Sequence, residues 1–322
     1  MSQNLRPLGK TGLHIGPLVL GGNVFGWTCA RRESFAVLDA YAALGNGLID
    51  SADVYSRWAP GHQGGESESI IGDWIRQRGH HNDVLIATKV GSDMGLGHIC
   101  LRREHILRSV EDSLRRLGVD CIDLYQSHWF DKRTPPEETL RAFQHLLEQG
   151  KVRAIGCSNH SPAQLMESIE VAQVYGLPAY QVLQPQYNLM ARAGFEGELR
   201  GICQREELGV IAYHGLASGF LSGKYRHPDD ARDSARGDAV RQHLANPQGA
   251  AVLAALDDIA ARHLARPAQV ALAWIMAQPG ITAPIASATS TAQLEELAGA
   301  ADLGLDADDL AALDAASTPP SA

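Results

Sequence analysis

The amino-acid sequence predicts an α/β fold, a single (β/α)8 TIM barrel with an N-terminal β-hairpin plug and extra C-terminal helices. Two observations indicate this fold class. Short apolar runs rich in β-branched residues, about eight in number, alternate with amphipathic stretches of alanine, leucine and charge, as in parallel strands that feed helices. No linker or internal repeat divides the chain, which favours one domain over residues 1–322.

The first predicted element is a hairpin within residues 1–16. The segment from Leu8 to Ile15 reads Leu-Gly-Lys-Thr-Gly-Leu-His-Ile, two short strands around a glycine-bearing turn, and it would close the N-terminal end of a barrel. Barrel strands are predicted over residues 18–21, 47–51, 84–88, 122–126, 153–157, 179–183, 210–213 and 281–286. Eight is the number of strands that closes the common (β/α) barrel.

Helices are predicted between these strands, over residues 33–44, 67–78, 103–117, 136–149, 162–175, 195–207, 250–264 and 267–278. Start and stop signals support several of them. Ser161 precedes Pro162, the arrangement of an N-cap followed by proline at the first helical position. Glycines stand where four helices should end, at Gly45, Gly118, Gly150 and Gly176. From about residue 317 to residue 322 the chain is expected to form a flexible tail.

Composition argues against several classes of partner. A formal net charge of -9 and a pI of about 5.8 provide no basic field for a nucleic-acid backbone, so no nucleic-acid partner is expected. The first residues lack the apolar core of a signal peptide, and no apolar run is long enough to cross a bilayer. We therefore expect a cytoplasmic protein without a membrane partner. A homo-oligomer is compatible with the sequence.

Polar side chains follow three predicted strands at the point where each strand ends. Asp50 lies at the end of the second strand and Tyr55 follows it, while Lys89 follows the third strand and His128 the fourth. Taken alone, each has a structural explanation, such as a cap, a solvated strand end, packing or a hydrogen-bonded core histidine. Because the carboxyl ends of parallel barrel strands form one rim, where such barrels carry their active sites, the four side chains should meet there. Packing alone does not require this combination.

Together, the four groups have the chemistry that proton donation by a phenol requires. A phenol has a pKa of about 10 and donates protons poorly at neutral pH without help. Lys89 can stabilise the phenolate of Tyr55, and Asp50 can keep the lysine ionised and oriented. His128 can donate to a carbonyl oxygen on which negative charge develops. The pattern predicts a general acid beside an oxyanion site.

These residues and their contexts resemble the catalytic tetrad of the aldo-keto reductase family. Asp50, Tyr55, Lys89 and His128 stand in Ile-Asp-Ser-Ala-x-x-Tyr, Ala-Thr-Lys and Asp-Leu-Tyr-x-x-His-Trp. Matches in the same order along nearly the whole chain include the hairpin, Gly65-Glu-Ser-Glu68 with Ile71-Gly72, Gly156-Cys-Ser-Asn159, Gln184-Pro-x-Tyr-Asn188 and residues 213–224. The resemblance implies an NAD(P)-dependent oxidoreductase of bacterial type that transfers hydride reversibly to an aldehyde or ketone, with Tyr55 as the general acid.

The resemblance also implies where the cofactor binds. The family binds an extended nicotinamide dinucleotide without a Rossmann fold, and the glycine fingerprint of that fold is absent here. By resemblance, Ser158, Asn159 and Gln184 would hold the carboxamide, and Tyr213 would stack on the nicotinamide ring. The loop over residues 215–224 would cover the pyrophosphate. Its expected contacts are Gly215, Leu216, Ser218, Leu221 and Lys224.

The expected adenosine site departs from the family at one position. Many members have an arginine where Thr289 stands, and arginine matches the geometry of a 2'-phosphate in a way that threonine cannot. Ser287, Thr289 and the hydroxyl of Ser290 nevertheless precede a helix N-terminus, itself an anion site, and Gln293 and Glu296 keep the family pattern. NADP is the expected cofactor, with NAD as the alternative.

The substrate is expected to be a small carbonyl or alcohol compound. Trp27, Trp58, Trp129 and Phe130 fall in loops that follow strands and are candidates for an aromatic pocket. Three alternatives stay open: an NAD-linked alcohol or sugar dehydrogenase working in the oxidative direction, a cofactor-binding regulatory subunit with little turnover, and a metal-dependent barrel hydrolase. The third is disfavoured because the histidines form no paired ligand motif at strand ends, so no metal is expected.

Overall fold

A computed structural model describes residues 5–318 and contains a closed barrel of eight parallel strands. Together with the two hairpin strands, the strands are β1 (Arg6–Pro7), β2 (His14–Ile15), β3 (Val19–Gly21), β4 (Gly47–Asp50), β5 (Val84–Val90), β6 (Ile122–Ser127), β7 (Val152–Ser158), β8 (Val182–Gln184), β9 (Gly209–Ala212) and β10 (Ala283–Ala286). The barrel runs β3 to β10 in chain order and closes by pairing β10 with β3. The predicted fold class is confirmed.

The N-terminal hairpin closes the bottom of the barrel. Strands β1 and β2 are antiparallel, and the turn between them reaches the N-terminal ends of β8 and β9. Gly9, at φ +57°, sits so close that a Cβ there would lie 2.3 Å from the Gly209 nitrogen and 2.5 Å from the Gln181 carbonyl oxygen. The Gln181 side chain donates to the Lys10 carbonyl at 2.9 Å. Only glycine fits this contact.

Two apolar layers hold the fold together. Inside the barrel, one buried side chain or more from every strand packs against the hairpin: Leu8, Leu13, Ile15, Val19, Leu48, Ala87, Leu124, Ala154, Val182, Ile211, Ala283 and Ile285. The opposite faces of the strands pack against the surrounding helices in a larger core. Because both faces are buried, the strands read as continuous apolar runs in the sequence.

Eleven α-helices surround the barrel within residues 5–318. They are α1 (Arg31–Leu44), α2 (Glu66–Arg78), α3 (Arg103–Leu117), α4 (Pro136–Glu148), α5 (Pro162–Tyr175), α6 (Glu198–Arg205), α7 (Gly237–Ala245), α8 (Pro247–Arg262), α9 (Pro267–Ala277), α10 (Thr291–Ala298) and α11 (Ala307–Ala316). The predicted cap of α5 is present, because the Ser161 hydroxyl accepts from the Gln164 nitrogen while the Gln164 side chain accepts from the Ser161 nitrogen. The four glycines predicted to end helices all have positive φ.

Several element boundaries differ from the prediction for local reasons. Strand β8 begins at Val182 rather than 179 and extends to Gln184. Helix α6 begins at Glu198 rather than 195, because Gly197 (φ 91°, ψ -123°) breaks the helical path. Helix α8 begins at Pro247 rather than 250, because the Asn246 side chain caps it by accepting from Gln248 at 3.0 Å.

The end of the described chain is packed. Ser317 is fully buried, accepts from Arg192 Nη1 at 2.9 Å and donates to the Leu313 carbonyl at 2.6 Å. Residues 319–322 of the expected tail lie outside the described residues. None of the helices within residues 5–318 is long and apolar enough to span a membrane.

Candidate active site

Three of the four predicted catalytic side chains meet in one hydrogen-bonded cluster above β4 and β5. Lys89 Nζ donates to Asp50 Oδ2 at 2.8 Å, to Tyr55 Oη at 2.9 Å and to the Ser51 carbonyl at 2.7 Å. The Tyr55 hydroxyl donates to Asp50 Oδ2 at 3.2 Å. The ammonium therefore lies between a carboxylate and a phenol, as the sequence predicts.

The backbone after β4 explains how Tyr55 reaches Lys89. The chain continues along β5, since Ser51 N donates to the Ala87 carbonyl at 2.8 Å and Asp53 N donates to the Lys89 carbonyl at 3.1 Å. A turn closed by Tyr55 N and the Ala52 carbonyl then brings the phenol back over β5. The Lys89 Nζ lies 4.6 Å from the centre of the Tyr55 ring.

Burial sets the protonation of this cluster. Lys89 is fully buried, and burial lowers its pKa while the charge of Asp50 raises it. Burial and the charge of Asp50 raise the pKa of Tyr55 well above its usual value. The phenol is therefore protonated at neutral pH. It can donate a proton only if the resulting negative charge is stabilised, and Lys89 is the cation in contact with it.

His128 completes the predicted set from the end of β6. Its Nδ1 lies 3.0 Å from Ser92 Oγ, and its ring meets Tyr55 edge-on with the ring centres 6.1 Å apart. Burial, together with the charge of Lys89, lowers the pKa of His128 well below its usual value. The imidazole is therefore neutral at physiological pH and keeps one N–H to donate.

The residues predicted to hold the nicotinamide carboxamide lie beside this cluster and are bonded to it. Gln184 Nε2 donates to Asp50 Oδ1 at 2.8 Å, which leaves Gln184 Oε1 as an acceptor. Asn159 Nδ2 donates to the His128 carbonyl at 3.0 Å, and the Tyr213 hydroxyl donates to Asn159 Oδ1 at 2.7 Å. Their neighbour in the chain, Ser158, donates to the Gln184 carbonyl at 2.8 Å. One network thus links β4, β6, β7 and β8.

A cleft of about 1060 Å³ runs from this network across the mouth of the barrel. It is lined by most of the predicted site residues: Asp50, Tyr55, His128, Ser158, Asn159, Gln184, Tyr213, Gly215, Leu216, Ser218, Lys224, Ser287, Thr289, Gln293, Glu296, Trp27, Trp58 and Trp129. Lys89 lies beneath the cleft, in contact with Tyr55. The polar lining at both ends and the volume of the cleft fit an extended dinucleotide.

Two predicted cleft residues are elsewhere. Leu221 is fully buried in the core between the barrel and the helices, so its side chain does not line the cleft. Its loop forms two short 3-10 helices separated by a kink at Ser218 (φ 61°). The kink points the Leu221 side chain inward. Phe130 packs edge-on against His160, with ring centres 5.4 Å apart, and also does not line the cleft.

At the expected adenosine end, the side chains bond mainly to near neighbours in the chain. The Thr289 nitrogen and hydroxyl both donate to Gln293 Oε1, at 2.9 and 3.0 Å. The Ser290 hydroxyl caps α10 by accepting from Gln293 N at 3.2 Å. Ser287 is the exception, because its hydroxyl donates to Asn23 Oδ1 at 2.6 Å and joins β10 to the segment after β3.

An aromatic wall borders the catalytic end. The rings of Trp27 and Trp58 meet edge-on at 5.5 Å, and Trp58 meets Tyr55 at 6.0 Å. Trp129 stacks on His128 with ring centres 6.0 Å apart. About half of Trp58 and two fifths of Trp129 remain exposed, at 48% and 41%. The wall is therefore open to a ligand rather than packed shut.

Among the polar residues that line the cleft, the sequence analysis missed Asn23, Thr28, Tyr225, Arg226, Ser234, Arg236, Asp257 and Arg266. Asn23 could have been found, because it lies just after the first barrel strand, and Asp50 ends the second. Arg236 and Arg266 follow no strand, and each precedes a helix whose position relative to the cleft only the fold reveals. Among residues 5–318, no group of three or more His, Cys, Asp or Glu side chains is arranged to hold a metal ion.

Comparison with known proteins agrees with the geometry. Residues 17–318 match the model of the Aldo/keto reductase family. The "Uncharacterized oxidoreductase YrpG" of Bacillus subtilis (strain 168) is 35% identical over 309 residues, which cover 93% of this chain and 91% of the relative. The "L-glyceraldehyde 3-phosphate reductase" of Escherichia coli (strain K12) is 31% identical, covering 90% of this chain and 85% of the relative.

The name of a third relative includes a cofactor. The "Aldo-keto reductase yakc [NADP(+)]" of Schizosaccharomyces pombe is 32% identical over 277 residues, covering 84% of this chain and 78% of the relative. The family match spans nearly all of the chain, and the barrel has the closed eight-stranded form expected of such enzymes. The chain therefore belongs to the aldo/keto reductase family and is an NAD(P)H-dependent oxidoreductase.

Proposed function

We propose that this enzyme reduces an aldehyde or ketone with hydride from NADPH and that Tyr55 is the proton donor. One observation carries the proposal: the Tyr55 hydroxyl lines the cleft while hydrogen-bonded to both Lys89 and Asp50. A raised pKa keeps the phenol protonated, and a buried ammonium in contact with it can stabilise the phenolate. The name of one relative, a reductase of a phosphorylated aldehyde, supports an aldehyde as the reacting group.

The bound cofactor supplies the hydride that reaches the carbonyl carbon. Gln184 Oε1 and Asn159 would hold the carboxamide and so orient the nicotinamide toward the substrate. Tyr213, whose hydroxyl donates to Asn159, would offer its ring for stacking on the nicotinamide. These contacts would orient the cofactor and take no part in proton transfer.

Proton transfer then involves three side chains. Tyr55 gives its hydroxyl proton to the carbonyl oxygen as hydride arrives at the carbon. The ammonium of Lys89 stabilises the negative charge of the resulting phenolate. We assign the Ser92 hydroxyl as the donor to His128 Nδ1, which leaves the N–H on Nε2 to donate to the same carbonyl oxygen. Asp50 holds the ammonium in place through its 2.8 Å ion pair. The same steps in reverse oxidise an alcohol.

NADPH is the proposed cofactor. Lys224 and Arg266 line the cleft, and the capped N-terminus of α10 adds a partial positive charge at the end expected to hold the adenosine. The name of the yeast relative supports this choice. Thr289 is the observation that keeps NAD as a second candidate, since its hydroxyl and nitrogen are already bonded to Gln293.

The test is the substitution Tyr55→Phe, assayed by NADPH oxidation with a panel of aldehydes and ketones. We expect kcat to fall by about 10³-fold, within the range for loss of a general acid, while the Kd for NADPH measured by fluorescence stays within about twofold. Tyr175→Phe, on the exposed end of α5, serves as the matched control and should behave like the wild type. Near wild-type turnover in Tyr55→Phe would refute the assigned role. Tight NADPH binding by the wild type without turnover of any carbonyl would favour a regulatory protein.

A further inference from the structure

One cation of the cleft has no role in the proposed mechanism. Arg236 immediately precedes α7, and its guanidinium lies over the Trp27 ring, 5.5 Å from the ring centre. Trp27 contacts Trp58, and Trp58 contacts Tyr55, with ring centres 5.5 and 6.0 Å apart. The guanidinium therefore belongs to the aromatic wall at the catalytic end of the cleft.

This guanidinium has no protein counter-charge. Within residues 5–318 it forms neither an ion pair nor a hydrogen bond, although it is partly buried and burial lowers its pKa. Arg226, another cleft arginine, is neutralised by Asp257 through two hydrogen bonds of 2.7 Å. The carboxylate nearest the catalytic end, Asp50, is already engaged by Lys89 and Gln184. A partly desolvated arginine without a protein acceptor is well suited to bind a ligand that supplies one.

The electrostatic effect of Arg236 reaches the proton donor. Its positive charge acts to lower the pKa of Tyr55, against the larger effects of burial and of Asp50. In turn, the phenol acts to raise the pKa of Arg236. The two groups are thus close enough to interact through the cleft. A ligand whose carbonyl oxygen sits at Tyr55 would present the rest of its structure to the aromatic wall and to this guanidinium.

We infer that Arg236 binds an anionic group of the substrate, a carboxylate or a phosphate, so that the enzyme prefers aldehydes or ketones carrying a negative charge. The planar guanidinium can form two parallel hydrogen bonds to either group. Trp27 holds the guanidinium in place by stacking beneath it. The inference rests on the proposed carbonyl reduction. The cofactor pyrophosphate is the other anion expected in the cleft, and the experiment separates the two sources.

The experiment compares two substrates of nearly the same shape, 4-carboxybenzaldehyde and its neutral methyl ester, methyl 4-formylbenzoate. We expect Arg236→Ala to lower kcat/KM for the acid by about tenfold or more and for the ester by less than about twofold, because a charge-assisted bond is lost only with the acid. Arg236→Lys should restore part of the loss. Arg232→Ala is the matched control, since Arg232 is exposed and paired with Asp229. Retained ester reduction also demonstrates that each variant is folded.

Two results would overturn the inference. Equal losses with acid and ester, accompanied by a higher Kd for NADPH, would assign Arg236 to the cofactor pyrophosphate. Unchanged kinetics with both substrates would mean that the guanidinium binds neither anion.

A binding measurement keeps the inference separate from the proposed function. Terephthalate, the dicarboxylate analogue, is titrated into NADP⁺-loaded protein, and quenching of tryptophan fluorescence reports its arrival near Trp27 and Trp58. If the wild type reduces no carbonyl of the panel, the proposed function fails, yet about tenfold weaker terephthalate binding by Arg236→Ala would still support the anion site. Equal binding by wild type and variant would overturn it.

Discussion

The two ends of the cleft are built in different ways. At the end proposed for catalysis (below, the catalytic end), hydrogen bonds join residues far apart in the sequence: Lys89 to Asp50, 39 positions away, and Gln184 to Asp50, 134 positions away. At the end proposed for the adenosine (below, the adenosine end), Thr289 and Gln293 bond across four positions of one turn. The bonds to Asp50 form only when the barrel is closed, whereas the bond between Thr289 and Gln293 requires only the first turn of α10.

Because of this difference, we expect the catalytic end to determine the type of reaction and the adenosine end to determine which cofactor is preferred. A change at Asp50, Tyr55 or Lys89 would leave another group buried and unpaired, because each of these three bonds to two or three others. The adenosine end can exchange a side chain on the surface with little effect on the barrel. We therefore expect substitutions at the catalytic end to affect turnover and stability strongly, and those at the adenosine end to shift cofactor preference alone.

The largest effect is expected from Lys89→Met. Removing the ammonium leaves Tyr55 without a cation and Asp50 with an uncompensated buried charge, so kcat should fall by about 10³-fold. The free energy of unfolding should also fall by about 3 kcal/mol. Steady-state kinetics and urea unfolding measure the two effects. Lys132→Met, at an exposed position, is the control, and a Lys89 variant that kept most of its turnover would contradict the comparison.

A second prediction concerns how a buried carboxyl group beside the catalytic cluster lowers the free energy of unfolding. Burial and the charge of Glu68 raise the pKa of Asp53 to about 8, above its ordinary value of 3.8. Since the folded state retains a proton that the unfolded state releases, this group makes the protein less stable as pH rises from about 4 to about 8. Asp53→Asn should remove the penalty. The variant should gain on the order of 3 kcal/mol over the wild type at pH 8.5 and little at pH 4.

Thermal or urea unfolding at the two pH values measures the difference. The control is Asp73→Asn, because Asp73 is partly exposed, pairs with Arg76 and Arg31, and has a lowered pKa. That variant should show no gain with rising pH. An equal effect of Asp53→Asn at both pH values would mean that Asp53 is ionised in the folded protein.

At the adenosine end, Thr289→Arg should sharpen the comparison. A guanidinium there can bond a 2'-phosphate in bidentate fashion, so the ratio of kcat/KM for NADPH to that for NADH should rise about tenfold. The Tm should stay nearly constant, because the substituted side chain is partly exposed and its partner Gln293 keeps its bond to Ser290. Thr289→Gln, long but uncharged, is the control. An unchanged ratio would place the adenosine elsewhere.

The smallest effect is expected from Ser92→Ala. Without the serine hydroxyl at Nδ1, His128 can carry its proton on either nitrogen, and kcat should fall about threefold. Binding of NADPH should not change. Ser109→Ala removes a comparable serine contact, to His105 on α3, and should leave kcat unaffected. A Ser92 variant with wild-type kcat would show that the imidazole is oriented by its packing alone.

Sequence reasoning reached the catalytic cluster because its rule is geometric. Polar residues at the ends of parallel strands share one rim, and Asp50, Lys89 and His128 obey that rule even before the partners of each strand are known. Asn23 obeys it too. For Leu221 the sequence could not show which way the side chain turns, because its loop has no regular period and the left-handed kink at Ser218 decides which side chains point inward.

Arg236 could not be found in this way. It stands before α7, a helix of nine residues with only two buried positions, which gives little periodic signal in the sequence. Its contact with Trp27 joins residues far apart in the chain, and no local pattern encodes such a contact. Substrate contacts on connecting segments are therefore the part of the site that a single sequence reveals least.

The hairpin plug has a consequence for the order in which the protein is made. The plug leaves the ribosome before the barrel strands, yet its turn bonds to Gln181, 171 positions later, and its glycine fits against Gly209. The first barrel strand must likewise wait for β10, the last barrel strand, before its free edge is covered. We expect the nascent chain to expose these unpaired edges until β10 has been synthesised, so that slow translation of the segment between β9 and β10 should favour aggregation rather than folding.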